Sequence, residues 1–308
     1  MTRDGIWYRI TILNHLNFYK MNSNIPDVFK DQDTIYHYTA LNTAIEHILF
    51  EKQLRFSPRV HSNDPIEFLK SIGGKGGAYR DIEQMQEIEI RTAVDADTVS
   101  LELKRKFEQA KQLCFCQNES VKNQGQTNFD EEYYGFLKPR MWDQYGDRYN
   151  GVCLSFSKSK LLEIHKDLSQ EIEYLPYRRL YKDASIRLNE LDELGYQQYS
   201  ELAFEKMVRD LSKKHIDYSG ECEFRLYSFS EEQYEYLDIS NAINGIIVPR
   251  RNLSKFAEQQ LTQFSKNMNI QMLYLNWRSD GISVTTLEED ERVYKIVMKN
   301  LETLKINS

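Results

Sequence analysis

What most limits the fold of this chain is a series of short apolar or alternating stretches set between longer, helix-patterned ones. "TIYHYT" (34–39), "QLRFSP" (53–58), "KQLCFCQN" (111–118), "GVCLSFS" (151–157), "QEIEYLPY" (170–177), "GECEFRLYSFS" (220–230), "NGIIVPR" (244–250) and "IQMLYLNW" (270–277) all read as strands. They are short, rich in β-branched and aromatic residues, and either alternate in polarity or stay apolar throughout, as a pleated strand requires. Between them the pattern turns helical. Leu41, Ala44, Ile45, Ile48 and Leu49 recur at helix spacing after Thr39, which is expected to cap that helix. Pro139 suits a first helical turn. Together these predict an α+β fold: a small mixed or antiparallel sheet core with helical insertions near 80–110 and 183–215 and a helical C-terminus. The expected organisation is an N-terminal extension (1–33), a core domain (34–250), and a helix/strand extension (251–308) packing on the core.

Composition narrows the function classes. Of the 308 residues, 41% are hydrophobic and 28% charged, ordinary for a globular chain, and no window is apolar enough to span a membrane. The first twenty residues are broken by charge and lack a small-residue cleavage site, so no signal peptide is expected. A net charge of -7 disfavours a sequence-independent nucleic-acid binder, which needs a face of phosphate-neutralising cations. Cys114, Cys116, Cys153 and Cys222 lack zinc-knuckle spacing and are expected to be reduced, buried thiols of a cytoplasmic protein. The six histidines show no metal-binding motif, so no metal is expected. "GGKGGAY" (73–79) fails the phosphate-loop pattern and reads as a flexible link.

Three clusters carry candidate chemistry. Glu221, Glu223 and Arg225 stand at i, i+2, i+4 of a strand, so all three are expected on one face, with Cys222, Phe224 and Leu226 on the other. Phe, Leu and Tyr crowd this segment, and interior carboxylates need a partner, for which Arg225 is placed. His37, between Tyr36 and Tyr38, is either a structural imidazole or a ligand anchor. Asn63-Asp64-Pro65 reads as a turn, although Asp64 and Glu67 could face one pocket. Trp142 and Tyr145, three apart on a helix, are either core or a stacking wall. A metal nuclease would use Asp64 with Glu221 or Glu223, but Arg225 stands where its lysine belongs.

Read in order, these pieces resemble the bacterial family known as domain of unknown function 2971. The resemblance is carried by His37-Tyr38-Thr39, Leu54-Arg55-Phe56-Ser57, Asn63-Asp64-Pro65-Ile66-Glu67, Cys114-Phe115, Met141-Trp142-Asp143-Gln144-Tyr145, Gly151 to Phe156, Tyr177, Glu221-Cys222-Glu223-Phe224-Arg225 and Gly245-Ile246-Ile247. It spans about 34–250, and departs from the family where an aromatic, often Trp, precedes the E-x-E-x-R row; here stand Ile216, Tyr218 and Ser219. More distantly the layout is similar to the ADP-ribosyltransferase-like fold. That similarity implies an enzyme that uses NAD as substrate, a toxin or anti-phage defence effector acting on a nucleic-acid or protein acceptor, with a regulatory partner protein and no membrane.

On that resemblance Glu223, His37 and Glu221 are the catalytic residues. Tyr38, Ser57, Trp142, Tyr145 and Arg225 hold the cofactor, and Asn63, Asp64 and Glu67 form the rim or acceptor site. Two other readings stand beside it: a non-catalytic nucleotide or small-ligand sensor module, and the metal-dependent nuclease.

Overall fold

The computed structural model describes residues 25–59, 90–119, 133–165, 168–180, 186–251, 253–278, 281–292 and 295–296. Its strands, in chain order, are β1 (Thr34–Thr39), β2 (Gln53–Arg55), β3 (Ser57–Pro58), β4 (Lys111–Gln117), β5 (Val152–Ser157), β6 (Leu168–Glu171), β7 (Glu173–Leu175), β8 (Lys213–His215), β9 (Glu223–Ser228), β10 (Tyr236–Asp238), β11 (Ile243–Pro249), β12 (Gln271–Arg278) and β13 (Gly281–Thr286). The helices that bear on the site are α1 (Ile90–Gln109), α2 (Pro139–Gln144), α3 (Leu188–Leu211) and α4 (Lys255–Met268). The result is a mixed α/β architecture whose sheet is mostly antiparallel, as the alternating segments imply.

The chain divides into two compact units: Met1–Gln53, Cys116–Leu161 and Asp238–Ser308 make one, and Leu54–Phe115 with Leu162–Leu237 the other. In the first unit β1 pairs antiparallel with β5 along its whole length, from Thr34↔Ser157 to Thr39↔Val152. β5 pairs antiparallel with β11 across an irregularity between Ile243 and Gly245, and β11 runs parallel to β12. Parallel neighbours need a crossover, supplied here by α4. The Ser254 side chain caps its first turn, and Asn269, left-handed at φ 53°, closes its last. Gly245 is required by close approach: a Cβ there would lie 2.5 Å from the Phe29 ring.

In the second unit β9 lies between β4 and β6, and β3 pairs with the first residues of β4 (Ser57↔Gln112, Pro58↔Lys111). β7 and β8 form a separate two-stranded parallel ribbon. Helices α1 and α3 bury a shared apolar cluster including Ala96, Val99, Leu103, Ala203 and Met207. No helix among the described residues is long and apolar enough to cross a membrane.

Several local expectations are corrected. Thr39 does not cap the helix after β1, because the ladder to Val152 keeps it in the strand; Ala40 takes the cap position with no side-chain bond. That helix makes one α turn (Leu41–Thr43) and then widens into a π-helix over Ala44–Leu49. "QEIEYLPY" is not one strand but the end of β6 followed by β7, which pair in different sheets. The helix expected over 183–215 ends at Leu211, is broken at Gly195 (φ 74°), and gives way to β8. The C-terminal stretch holds β13, paired antiparallel with β12, before residues 287–292 turn helical.

Candidate functional site

The Glu-Glu-Arg row forms in the second unit, by a different route from a simple strand. β9 begins only at Glu223. Residues Ile216–Glu221 form a 3₁₀ helix, and Cys222 takes the left-handed conformation at φ 44°. A side chain that is half-exposed at such a kink does not join the core, so the expected core placement of Cys222 is corrected. No disulfide joins the four cysteines; Cys116 and Cys153 are buried, Cys114 and Cys222 half-buried. Phe224 and Leu226 are buried as expected.

Glu221, Glu223 and Arg225 meet Lys214 in a closed quartet, none of the four more than 5% exposed. Arg225 grips Glu223 with two prongs, Nε donating to Oε1 at 2.7 Å and Nη2 to Oε2 at 2.8 Å. Its Nη1 donates to Gln112 Oε1 at 3.3 Å. Lys214 Nζ donates to Glu221 Oε2 at 2.6 Å and to Glu223 Oε2 at 3.3 Å, and lies 4.6 Å from the centroid of the Tyr218 ring. The Tyr174 hydroxyl accepts from the Glu223 N–H at 2.8 Å. Two carboxylates and two cations balance, which is how buried charge becomes tolerable. Burial opposes ionisation of Glu223, but the Arg225 and Lys214 cations, the Arg225 bonds and the Cys114 thiol outweigh it and hold the carboxyl down at about 2. Burial pushes the Tyr174 phenol far above its ordinary range, so it stays protonated. The quartet therefore offers a fixed, ionised carboxylate rather than a proton acceptor poised near neutrality.

Ser57 joins this neighbourhood. It pairs with Gln112 across the β3–β4 ladder, so both side chains leave one face, and Ser57 is exposed there. On the rim, His215 Nδ1 lies 3.3 Å from Asp217 Oδ2, and Tyr177 presents its edge to the imidazole and is largely exposed.

The other predicted residues belong to the first unit and divide between two faces of β1. Tyr36 and Tyr38 point into an aromatic core with Phe29, Phe136 and Trp142. Their polar tips are taken up locally: Tyr36 Oη donates to Phe29 O at 2.6 Å, Tyr38 Oη to Gly135 O at 2.5 Å, and Trp142 Nε1 to Phe136 O at 2.8 Å. Trp142 is wholly buried, edge-on to Tyr38 and to Trp277, and Tyr145 packs half-buried on the same cluster. His37 alternates with the two tyrosines and takes the opposite face, half-buried, opposite Leu154 in the ladder. His37 and Trp142 are thus on opposite faces of one sheet. Asn63, Asp64 and Glu67 lie outside the described residues.

Sequence reasoning missed Lys214, Tyr174, Gln112 and Cys114. Gln112 and Cys114 were findable, since they alternate on one face of "KQLCFCQN". Lys214 sits in a three-residue strand after a long helix and gives no periodic signal.

A family of proteins described as "Protein of unknown function (DUF2971)" matches residues 141–226, the stretch running from α2 through the quartet to β9. This supports the family resemblance over a shorter stretch than the motif series suggested. No curated protein and no solved structure matches the chain.

Proposed function

We propose that the chain is an ADP-ribosyltransferase-like enzyme that takes NAD as substrate, with Glu223 as the carboxylate facing the reacting sugar. One observation carries the reading: Glu223 is held ionised, in one geometry, by a two-pronged arginine and a buried lysine. Cleavage of the nicotinamide–ribose bond sends the bonding electron pair out with nicotinamide and leaves cationic character at the anomeric carbon. A preorganised anion stabilises that charge without reorganising, the situation in which electrostatic catalysis is strongest. Glu223 is well suited to this and poorly suited to general base work, because it stays ionised far below neutral pH. The macromolecular acceptor, and a place in toxicity or phage defence, follow from the family resemblance alone.

The test is nicotinamide release from NAD, with and without added nucleic acid or protein, in the wild type and in Glu223→Gln. The reading predicts release by the wild type and its loss in the variant, both assayed at a temperature where circular dichroism shows the variant folded. Equal release by both proteins sinks it. A second reading, a ligand-binding module without turnover, is favoured by the pairing of both Glu223 oxygens within the quartet. It predicts thermal stabilisation by NAD or ADP-ribose, growing as RT ln(1 + [L]/Kd), with no product formed.

A further inference from the structure

We infer that the β7–β8 ribbon is a clamp that positions Glu223, Tyr174 fixing its main chain and Lys214 its carboxylate. This rests on the reading of Glu223 given above and extends it to two positioning residues outside the E-x-E-x-R row. Tyr174 and Lys214 are register partners in the ribbon, so their side chains leave it side by side. Each reaches a different part of the same residue: the Tyr174 hydroxyl accepts the Glu223 N–H at 2.8 Å, and Lys214 Nζ meets its Oε2 at 3.3 Å.

The clamp is stitched in on both sides. Ile172 N–H donates to Glu223 O at 3.1 Å, and Glu173 N–H donates to Ser212 O at 2.8 Å, just ahead of β8. Such a hold has a physical reason. Glu223 follows a left-handed residue, so the direction in which β9 starts is not inherited from a preceding extended strand. The Arg225 fork cannot supply the constraint alone, since it comes from two residues along the same strand and moves with it. Lys214 and Tyr174 come from outside β9. The charged and titratable groups around the carboxylate are Arg225 on β9, Lys214 and His215 on β8, Glu221, Asp217 and Tyr218 in the 3₁₀ turn, Tyr174 on β7 and Cys114 on β4.

Two measurements on the full chain test this. Glutamate side-chain carboxyl resonances are followed by NMR against pH in the wild type, Lys214→Met and Lys214→Arg, with Glu223 assigned by its loss in Glu223→Gln. The expected result is at least a tenfold rise in the proton affinity of Glu223 in Lys214→Met, largely reversed in Lys214→Arg. Hydrogen exchange of the Glu223 amide is then compared between the wild type and Tyr174→Phe. A tenfold or greater acceleration confined to the start of β9 is expected, with exchange in β11 and β12 unchanged. If Lys214→Met does not fold, Tyr174→Phe decides alone. An unmoved Glu223 titration, or unchanged exchange in Tyr174→Phe, overturns the clamp. In the same preparations, Lys214→Arg should release nicotinamide faster than Lys214→Met, the loss falling on kcat rather than KM. A wild type that releases no nicotinamide removes the enzyme reading and leaves the titration and exchange results to decide the clamp.

Discussion

Around Tyr38 and Trp142, each polar tip meets one backbone carbonyl and the rest of the contact is aromatic packing. Around Glu223, four full charges are buried and satisfy one another. The first arrangement is what a core needs: apolar area removed from water, with the few N–H and O–H groups paired. The second is not required for stability, because well-packed apolar residues of similar volume commonly hold a core at least as well as a buried ion network. Buried charge that a fold does not need is the better pointer to function. The comparison therefore moves attention from the aromatic residues to the Glu-Glu-Arg row.

The largest expected effects set the two regions against each other directly. Arg225→Met leaves two buried carboxylates to share the one cation of Lys214, an uncompensated buried charge, and should lower unfolding free energy by about 3–5 kcal/mol. Trp142→Ala should cost about the same, through lost packing and a cavity. The difference appears on adding a second change. Glu223→Met combined with Arg225→Met should recover more than half of the arginine loss, since the stranded charge is gone. Urea denaturation of the single and double variants measures the coupling, and purely additive losses would refute the charge argument.

Acid comes next. The Glu223 carboxyl lies near 2 in the folded chain against an ordinary value of 4.5. A depressed folded value means stability that is fully present above about pH 4.5 and lost as pH falls towards 2. Denaturation midpoints taken from pH 6 downward should fall more steeply in the wild type than in Glu223→Gln. Parallel curves would show that Glu223 is not held as described. In the aromatic region, Tyr38→Phe removes the donor to the Gly135 carbonyl and should cost about 1–3 kcal/mol at every pH tested. Burial already pushes the Tyr38 phenol and the Cys153 thiol beside it far up, so neither titrates in that range.

Much of the fold was legible from alternation. β1 occupies the residues of "TIYHYT", and β4, β5, β11 and β12 fall within one residue at either end of their predicted stretches. In each, the apolar pattern and the pleat agree. What failed were places where a backbone kink or a sheet change breaks a run that looks continuous in sequence. Cys222 turns left-handed in the middle of "GECEFRL", and Ile172 separates β6 from β7. β13 was legible in principle, since Ile282 and Val284 alternate with Ser283 and Thr285, but it opens on Gly281, a poor strand former. The site was legible in its acidic half and not in its lysine. Glu-x-Glu-x-Arg is a local pattern, whereas Lys214 and Tyr174 reach Glu223 through tertiary pairing that no spacing encodes.

The smallest expected effect separates burial from charge as the source of the contrast. Arg209 and Glu205 form an ion pair on α3 of the same unit, but both side chains are largely exposed, whereas the quartet is closed to solvent. Exposed pairs contribute about 0–1 kcal/mol, because water solvates both partners almost as well apart as together. Glu205→Gln should therefore shift the urea midpoint barely, and what shift there is should vanish at 1 M salt, where screening acts within about 3 Å. The Arg225→Met loss should persist at that salt, because counterions do not reach a carboxylate buried among Lys214, Arg225 and Tyr174. If salt erased both effects alike, the quartet would be behaving as a surface pair, and its claim to a fixed, preorganised carboxylate would fall with it.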